Sequence, residues 1–381
     1  MRRLIYDDDH EQFRLVVRRF IENEVVPQYA DWEAAGAPPR SFYRRLGELG
    51  ILGMRVPEAY GGAGVEDLRY SAVISEEAGR FGVTLGALRI HTDLVLPYLL
   101  QLATDEQKER WLPRYTTGEC MAAIAITEPG AGSDVAALRT TARLEGDHYV
   151  LNGAKTFITG GFNAGLVLVV CRTSPATGGD RRRGLSILLV DASSPGFGVG
   201  RRIEKIGLHA QDTVELSFTD VRVPRAELLG EEGLAWEYLT RNLAKERLSI
   251  ALGSYAAAAG AVEMTKAYVG EREVFGRQLS SFQNTKFVLA ECWTQVLAAQ
   301  ALIDACLALD ETDELTPADA AAAKLFCSEV QGTVIDKCLQ LHGGYGYTRE
   351  YPISRLYADA RVTRIYGGTS EVMKSVISKA M

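Results

Sequence analysis

Glu246 is the residue of this sequence whose type and setting best suit acid–base chemistry. It lies in a stretch of helical period, and its neighbours three and four positions away are Asn242, Leu243, Ser249 and Ile250. None of them is basic, so no ion pair forms at helical spacing, and two are large and apolar. Partial desolvation on such a face raises the pKa of a carboxyl group toward the range of a general base. The alternative is a solvated glutamate between Lys245 and Arg247.

A second group of residues could bind a ligand through the main chain. The segment 127–133, Thr-Glu-Pro-Gly-Ala-Gly-Ser, follows a β-rich run and contains too much glycine to be helical. Its small residues let a ligand approach the backbone, and its N–H groups and hydroxyls can donate hydrogen bonds. A plain β-turn is the alternative. No GxGxxG pattern occurs in the chain, which argues against a nicotinamide enzyme.

Arg272, Phe275 and Gln283 lie where one predicted helix ends and the next begins. A guanidinium contacts two phosphate oxygens at once, so an arginine at this place is a natural donor to a pyrophosphate. A lone surface arginine is more often only solvated, and the spacing of these residues does not decide between the two interpretations.

The hydrophobic period changes twice along the chain, which predicts three domains. Helical spacing extends from about residue 8 to 117, short β-rich runs follow to about 226, and helical spacing returns from about 232. We predict a helical domain at 1–118, a β domain at 119–228 and a helical domain at 229–381. The fold class is therefore α+β and multidomain.

The β domain is predicted to contain a mainly antiparallel barrel or sandwich. Its runs are bounded by Gly, Asn, Asp or Pro, and the connections are too short for crossover helices. The predicted strands are 122–126, 149–151, 166–170, 185–190 and 214–218. In the last domain the segments 251–269, 286–309 and 318–341 are long, rich in alanine and free of proline, and 369–380 is shorter. Small facing residues favour a close-packed four-helix bundle.

Composition excludes several classes of function. A formal charge of −7 and a pI near 5.5 argue against a nucleic-acid partner. The run Arg181–Arg183, between Gly178-Gly179 and Gly184, is interpreted as a solvated loop, with a phosphate contact as the alternative. Six cysteines without CxxC spacing or a histidine cluster predict reduced, buried thiols, no metal site and a cytoplasmic location. We expect no membrane span, since no apolar run approaches about 18 residues.

Three motifs, in this order and spacing, resemble those of the acyl-CoA dehydrogenase family of flavoproteins. They are Ala125–Asp134, Gly270–Arg277 (Gly-Glu-Arg-Glu-Val-Phe-Gly-Arg) and Gln340–Tyr347 (Gln-Leu-His-Gly-Gly-Tyr-Gly-Tyr). The resemblance covers nearly the whole chain and is strongest to the long-chain branch, to which the segment Lys205–Thr213 is also similar. It implies helical, β and helical-bundle domains in that order, and one FAD per subunit of a homotetramer built as a dimer of dimers.

The resemblance also implies which residues contact FAD. Thr127 and Ser133 match the loop beside the flavin ring, Phe157 and Thr159 match a second flavin segment, and Arg272 matches a contact to the adenosine diphosphate part held by the neighbouring subunit. The complete set of implied cofactor contacts is Ile126, Thr127, Gly132, Ser133, Phe157, Ile158, Thr159, Arg272, Phe275, Gln283, Gln340, Gly343, Gly344, Gly368, Thr369 and Ser370.

One departure from the common family pattern concerns the catalytic base. The loop position that usually carries a glutamate is Gly367 here, as in the long-chain branch. That branch carries its base in a Glu-Arg dipeptide on an earlier helix, which matches Glu246-Arg247. The resemblance therefore implies Glu246 as the base, with Ser133, Arg247 and Gly367 at the substrate. Glu371 is better explained as a residue in the first turn of a helix.

Removal of an α-proton by the base, while hydride leaves the β-carbon for the flavin, would convert a saturated acyl-CoA to a trans-2-enoyl-CoA. The resemblance implies a medium- to long-chain substrate and an electron-transferring flavoprotein as the acceptor. Three alternatives stay open: a thioester carried by a carrier protein in a biosynthetic pathway, an oxidase that uses oxygen, and a catalytically silent flavin-binding protein.

Overall fold

Helices form the N-terminal part of the chain in the computed structural model, which describes residues 3–175 and 180–381. They are α1 (Asp8–Phe20), α2 (Tyr29–Ala35), α3 (Arg40–Glu48), α4 (Leu68–Phe81), α5 (Leu96–Leu102) and α6 (Asp105–Thr116). A π-helical segment, Ile90–Val95, leads directly into α5. Apolar side chains of α1, α3 and α4 share one buried core, which explains the helical period of this region.

The middle of the chain forms one mixed sheet. Its strands are β1 (Met121–Ala125), β2 (Thr141–Glu145), β3 (His148–Thr159), β4 (Ala164–Arg172), β5 (Leu185–Asp191), β6 (Phe197–Arg202), β7 (Thr213–Pro224) and β8 (Leu228–Leu229). Their order is β6-β7-β3-β2-β4-β5-β8, with β1 beside β4. Most pairs are antiparallel, as predicted, but β1 is parallel to β4, and β2 meets β4 in parallel at one residue pair. Within the described residues the two edge strands do not pair, so no closed barrel forms.

Both faces of the central strands are buried, which is why β4 is an unbroken apolar run. Val167 and Val169 face a core shared with β3 and β7, whereas Leu168 and Val170 face a second core shared with α5 and α6. The sequence patterns missed β2 and β6. Only Ala142 is buried in β2, so the strand has no alternating pattern, and β6 contains two glycines and two arginines with no buried position.

The C-terminal part is the predicted helical bundle. It consists of α7 (Ala235–Glu271), a short hairpin of β9 (Glu273–Val274) and β10 (Arg277–Gln278), α8 (Gln283–Glu311), α9 (Pro317–His342), α10 (Pro352–Ala360) and α11 (Ser370–Ser378). Fully buried alanines on the three long helices, among them Ala258, Ala299 and Ala323, let the helix axes approach closely. The α+β multidomain class is confirmed, whereas the exact domain boundaries stay predictions.

Helices α4 and α7 cross with their backbones in contact. A Cβ added to Gly260 would lie 1.9 Å from the carbonyl oxygen of Gly79, and a Cβ added to Gly79 would lie 2.4 Å from that of Ala256. Only glycine fits either position without separating the helices. This contact joins the N-terminal helices to the bundle and fixes one wall of the cavity described below.

Several expectations from composition can be compared with the structure. All six cysteines are free and buried, as predicted, and no cluster of metal-ligating side chains occurs in residues 3–175 and 180–381. Arg181–Arg183 is exposed, while Gly178 and Gly179 lie outside the described residues. Among the described helices, α8 is long and apolar enough to cross a membrane by length and composition alone, with a mean hydropathy of 1.4 and 39% of that window buried. Core helices of soluble proteins pass the same test, so the absence of a membrane span stays a prediction.

Candidate active site

A cavity of about 400 Å³ lies between α4, α7, the β domain and the loop before α11. Nine of the residues that the sequence singled out line it, although they come from four separate parts of the chain. They are Ile126, Thr127, Gly132, Phe157, Ile158, Thr159, Glu246, Gly367 and Gly368. The fold therefore brings the predicted carboxylate and three of the predicted ligand-binding segments to one place.

Glu246 lies on α7 with its side chain buried in the cavity wall. The hydroxyl of Tyr98, on α5, donates a hydrogen bond of 2.8 Å to Glu246 Oε1. Burial raises the pKa of Glu246 to about 7, and the Tyr98 hydrogen bond and the charge of Arg247 limit the rise. No cation within the described residues forms an ion pair with this carboxylate. Near neutral pH it can therefore both accept and hold a proton, which is the property a general base requires.

The loop that follows β1 is held by a buried ion pair. Lys155 Nζ, which is fully buried, lies 2.9 Å from Glu128 Oε1 and also donates to the carbonyl oxygen of Ile126 at 2.9 Å. The Glu128 carboxylate accepts further hydrogen bonds from the backbone N–H groups of Arg139 and Thr140. Burial alone would raise the pKa of Glu128, but the Thr140 and Lys155 hydrogen bonds outweigh it and lower the pKa. The carboxylate is thus used for structure, in agreement with the interpretation of Glu128 as part of the loop.

Phe157 faces the cavity because β3 has a bulge there. The register between β3 and β7 shifts between Lys155 and Ile158, and Phe157 has a φ of 59°. A left-handed conformation costs a non-glycine residue roughly 1–2 kcal/mol. The side chain is nevertheless 62% exposed, unlike the neighbouring Ile158. Phe157 lines the same cavity as Gly132, whose Cβ position is open, and such a strained and exposed aromatic side chain is a suitable surface for a flat aromatic ligand.

Gly367 and Gly368 also line the cavity, and both have left-handed backbones with φ of 63° and 96°. Lys324 Nζ donates a hydrogen bond of 2.7 Å to the carbonyl oxygen of Gly368. Burial, with a smaller effect of the Arg247 charge, lowers the pKa of Lys324 to about 8. Thr369 caps α11 by accepting from the N–H of Val372, and Glu371 lies in the first turn, as predicted.

Other predicted site residues lie outside the cavity lining. Ser133 is exposed on the loop after β1. Arg247 is buried, its Nε has no hydrogen-bond partner in the described part of the chain, and burial lowers its pKa. Thr369 and Ser370 lie just beyond Gly368, where Ser370 Oγ donates to Glu329.

A second, exposed group lies at the far end of α7. Arg272 follows the last residue of α7, and its guanidinium carbon is 5.5 Å from the ring centre of Tyr345. Phe275 is 96% exposed at the tip of the β9–β10 hairpin. The exposed members of this group are Arg272, Phe275, Gln283, Gln340, Gly343 and Gly344. In a single chain they do not join the cavity.

The sequence did not point to four residues that shape the site: Tyr98, Lys155, Lys324 and Arg89. Tyr98, Lys155 and Lys324 are almost fully buried, and each donates a hydrogen bond to a group at least 27 positions away in the chain. A lysine inside an otherwise apolar strand or helix was the available signal, because a buried ammonium requires a partner. No such signal exists for a tyrosine, because tyrosine is commonly buried in protein cores.

Comparison with known proteins agrees with this site. Three protein-family models match: the N-terminal domain of acyl-CoA dehydrogenases at residues 7–119, the middle domain at 123–221 and the C-terminal domain at 233–381. Mitochondrial long-chain specific acyl-CoA dehydrogenase from Sus scrofa is 43% identical over 382 residues, which cover 99% of this chain and 87% of the pig protein.

Two further relatives cover nearly all of both chains. The crystal structure of acyl-CoA dehydrogenase from Geobacillus kaustophilus has a TM-score of 0.95 and 44% identity, and covers 98% of each chain. Short-chain specific acyl-CoA dehydrogenase from Clostridium acetobutylicum is 37% identical over 370 residues, covering 97% of each. The residues that would hold a flavin ring are present, since Gly132, which is open at its Cβ position, and the exposed Phe157 line the same cavity as the buried carboxylate. The chain therefore belongs to the acyl-CoA dehydrogenase family, whose cofactor is FAD.

Proposed function

We propose that this acyl-CoA dehydrogenase acts on saturated, medium- to long-chain acyl-CoA, with Glu246 as the base that removes the α-proton, and passes electrons to an electron-transferring flavoprotein. The observation that carries the proposal is the Glu246 carboxylate, buried in the cavity wall with a pKa of about 7. Residues near Glu246 also support the proposal. Thr127 and Phe157–Thr159 would hold the flavin ring, and Gly367 leaves room for the thioester.

The chemistry divides between the chain and its cofactor. FAD, when bound, supplies the acceptor for the two electrons and the hydrogen that leave the β-carbon. Glu246 takes the α-proton, and the apolar wall formed by Ile250 and Leu243 excludes water from the carboxylate. Tyr98 holds Oε1 in place, so the second carboxylate oxygen is the one free to accept the proton.

The length of the cavity supports a chain of at least medium length. Glu246, Ile250, Gly253, Ser254 and Ala257 all line it, so it follows one face of α7. At 1.5 Å per residue, the distance from Glu246 to Ala257 is about 16 Å along the helix. Curated relatives include both long-chain and short-chain specific enzymes, so the preferred length is a proposal from the geometry of this chain.

The exposed group around Arg272 supports an oligomeric enzyme. Arg272 lies about 39 Å from Glu246 along α7, too far for both to contact one cofactor from the same chain. We therefore propose that Arg272, Phe275, Gln283, Gln340, Gly343 and Gly344 contact the adenosine diphosphate part of FAD in a neighbouring subunit of a homotetramer. Dilution to monomers should release FAD, whereas a monomer with full activity and bound FAD would contradict this proposal.

Anaerobic mixing with acyl-CoA tests the catalytic proposal. The purified protein should be yellow, and saturated acyl-CoA should bleach its flavin absorbance. Glu246→Gln keeps the shape of the side chain but not its basicity, so bleaching should slow about 10²–10⁴-fold while FAD stays bound. Glu371→Gln is the matched control, because Glu371 is exposed at the start of α11 and outside the cavity, and it should bleach like the parent. Bleaching of Glu246→Gln at the parental rate would show that the base lies elsewhere.

A further inference from the structure

Arg89 brings a guanidinium into the wall of the cavity that follows α7. It stands directly before the π-helical segment Ile90–Val95, and its side chain is 32% exposed. Nη2 donates a hydrogen bond of 2.7 Å to Ser249 Oγ, and Nε lies 3.7 Å from Asp93 Oδ2. Nη1 has no hydrogen-bond partner within the described residues. Two N–H groups of a charged side chain are thus available to a ligand in the cavity.

The guanidinium is held in this position by a buried carboxylate. Asp93 is 3% exposed and accepts hydrogen bonds from the hydroxyls of Ser71, Thr92 and Ser249 at 3.0, 3.0 and 2.6 Å. Both of its oxygens therefore accept hydrogen bonds, and its charge compensates that of Arg89. Charged side chains are rarely placed beside an apolar channel, because desolvation must be repaid by partners. Here the partners are supplied by three different segments of the chain.

A glycine on α7 makes the space that the guanidinium occupies. A Cβ added to Gly253 would lie 2.1 Å from Arg89 Nη1 and 3.1 Å from Cζ. Glycine in the middle of a helix is unfavourable relative to alanine. The presence of glycine at position 253 is therefore explained by Arg89, whose guanidinium packs against the backbone of α7 in the cavity wall.

The distance from Glu246 places the Arg89 guanidinium beside the distal part of a bound acyl chain. Glu246 and Gly253 are seven residues apart on nearly the same face of α7, which corresponds to about 10 Å. Both line the same cavity. A chain whose α-carbon lies at Glu246 would therefore pass Arg89 well beyond the reacting carbons.

We propose that Arg89 binds an oxygen atom carried by the distal part of the acyl chain, so that preferred substrates bear a hydroxyl or carboxylate group there. The inference rests on the proposed acyl-CoA dehydrogenation at Glu246 and names its substrate class more closely. Asp93 already compensates the charge of Arg89, which favours a neutral hydroxyl over a carboxylate. A plain alkyl chain would offer Nη1 no hydrogen-bond acceptor.

Rates of flavin bleaching with matched thioesters test the proposal on the FAD-loaded enzyme. The probes are decanoyl-CoA, ω-hydroxydecanoyl-CoA and the mono-CoA thioester of decanedioic acid. A hydrogen bond to a charged group predicts that kcat/KM for the best oxygen-bearing probe exceeds that for decanoyl-CoA by about tenfold or more. Comparison of the hydroxyl and carboxylate probes identifies the oxygen group that the site selects.

Two variants test whether the preference for oxygen-bearing substrates depends on Arg89. Arg89→Met together with Asp93→Asn removes both charges, so neither is left buried alone. Gly253→Ala keeps both charges, suits a helix better than glycine and displaces the guanidinium. In each variant, kcat/KM for the best oxygen-bearing probe divided by kcat/KM for decanoyl-CoA should fall to about one. This ratio is insensitive to a general loss of activity, so it separates substrate recognition from a merely structural tie between Arg89 and α7.

Equal rates of the parent enzyme with all three probes would overturn the inference but leave the dehydrogenase proposal intact. Retention of the preference in Gly253→Ala and in the double variant would also overturn it. If no probe bleaches the flavin, the proposed function fails, and the assignment of Arg89 fails with it.

Discussion

A Cβ atom on residue 367 would lie 2.2 Å from Ile250 Cδ1, the tip of a side chain one helical turn beyond Glu246. A residue larger than glycine at position 367 would therefore clash with the side chain of Ile250. The loop position at which the resemblance implies a glutamate for most of the family cannot accept one here while Ile250 keeps its present position. This relationship gives a physical reason for seeking the base on α7, and it leads to a test.

Gly367→Glu in a Glu246→Gln background should restore little activity, because the new side chain meets Ile250 Cδ1 and adopts a φ of 63°. Adding Ile250→Val removes that one atom, since valine lacks Cδ1. The triple variant should therefore bleach flavin faster than the double variant Glu246→Gln/Gly367→Glu. Glu246→Gln/Ile250→Val is the control for the effect of the cavity alone, and an equally fast control would refute the explanation.

The pH dependence of the chemical step should follow Glu246. The base must be ionised to act, so the rate of flavin bleaching should rise with pH through about 7, the pKa of Glu246, and level off above it. Tyr98→Phe removes the hydrogen bond that favours the ionised form, so the midpoint should move upward by roughly 1 pH unit. A rapid-mixing pH profile checks both; an unchanged midpoint in Tyr98→Phe would rule out this role for the hydroxyl.

Glu246 should also make the folded protein less stable as pH rises. Its pKa is raised from 4.5 to about 7 in the folded state, so the folded state binds the proton more tightly than the unfolded state. Stability from this group is complete below pH 4.5 and is lost as pH rises through about 7. Glu246→Gln should therefore stabilise by about 3 kcal/mol at pH 8 and by little at pH 4. Denaturant unfolding of both proteins at the two pH values measures this difference.

Lys155→Met should weaken flavin retention as well as stability. It leaves Glu128 as a buried, unpaired carboxylate, which typically costs about 3–5 kcal/mol, and it releases the carbonyl oxygen of Ile126. We expect a lower Tm and partial loss of FAD. The double variant Glu128→Gln/Lys155→Met should recover much of the Tm, because no charge then stays buried alone. A single variant with full FAD content and the parental Tm would contradict the account.

The features of the fold and site that could be predicted from the sequence are those that depend on residues close together in the chain. Changes of hydrophobic period separated the helical and β parts, and the four neighbours of Glu246 along its helix indicated a desolvated carboxylate. The short helix at 369–380 was also predicted; in the structure Thr369 caps it, because a hydroxyl before a helix accepts from the first free N–H groups. The roles of Arg272 and the other predicted contacts of the adenosine diphosphate part stay predictions, since one chain does not bring them to the cavity.

What the sequence could not provide depends on contacts between distant segments. Tyr98 reaches Glu246 across 148 positions, and Lys155 reaches Glu128 across 27. Neither partner can be chosen from spacing alone, because the tertiary fold decides which buried groups meet. The parallel pairing of β1 with β4 was missed for the same reason: short connections favour antiparallel neighbours, but β1 pairs with a strand three further along the chain.

The contact between Gly79 and Gly260 has a consequence for how this enzyme can change over evolutionary time. Any side chain at either position would meet the backbone of the other helix and break the contact that joins the N-terminal helices to the bundle. Adaptation to other acyl groups must therefore occur at the side chains that line the cavity beside this crossing. We expect related sequences with different substrates to vary at Ile74, Ser75, Ala78, Ser254 and Ala257 while both glycines persist.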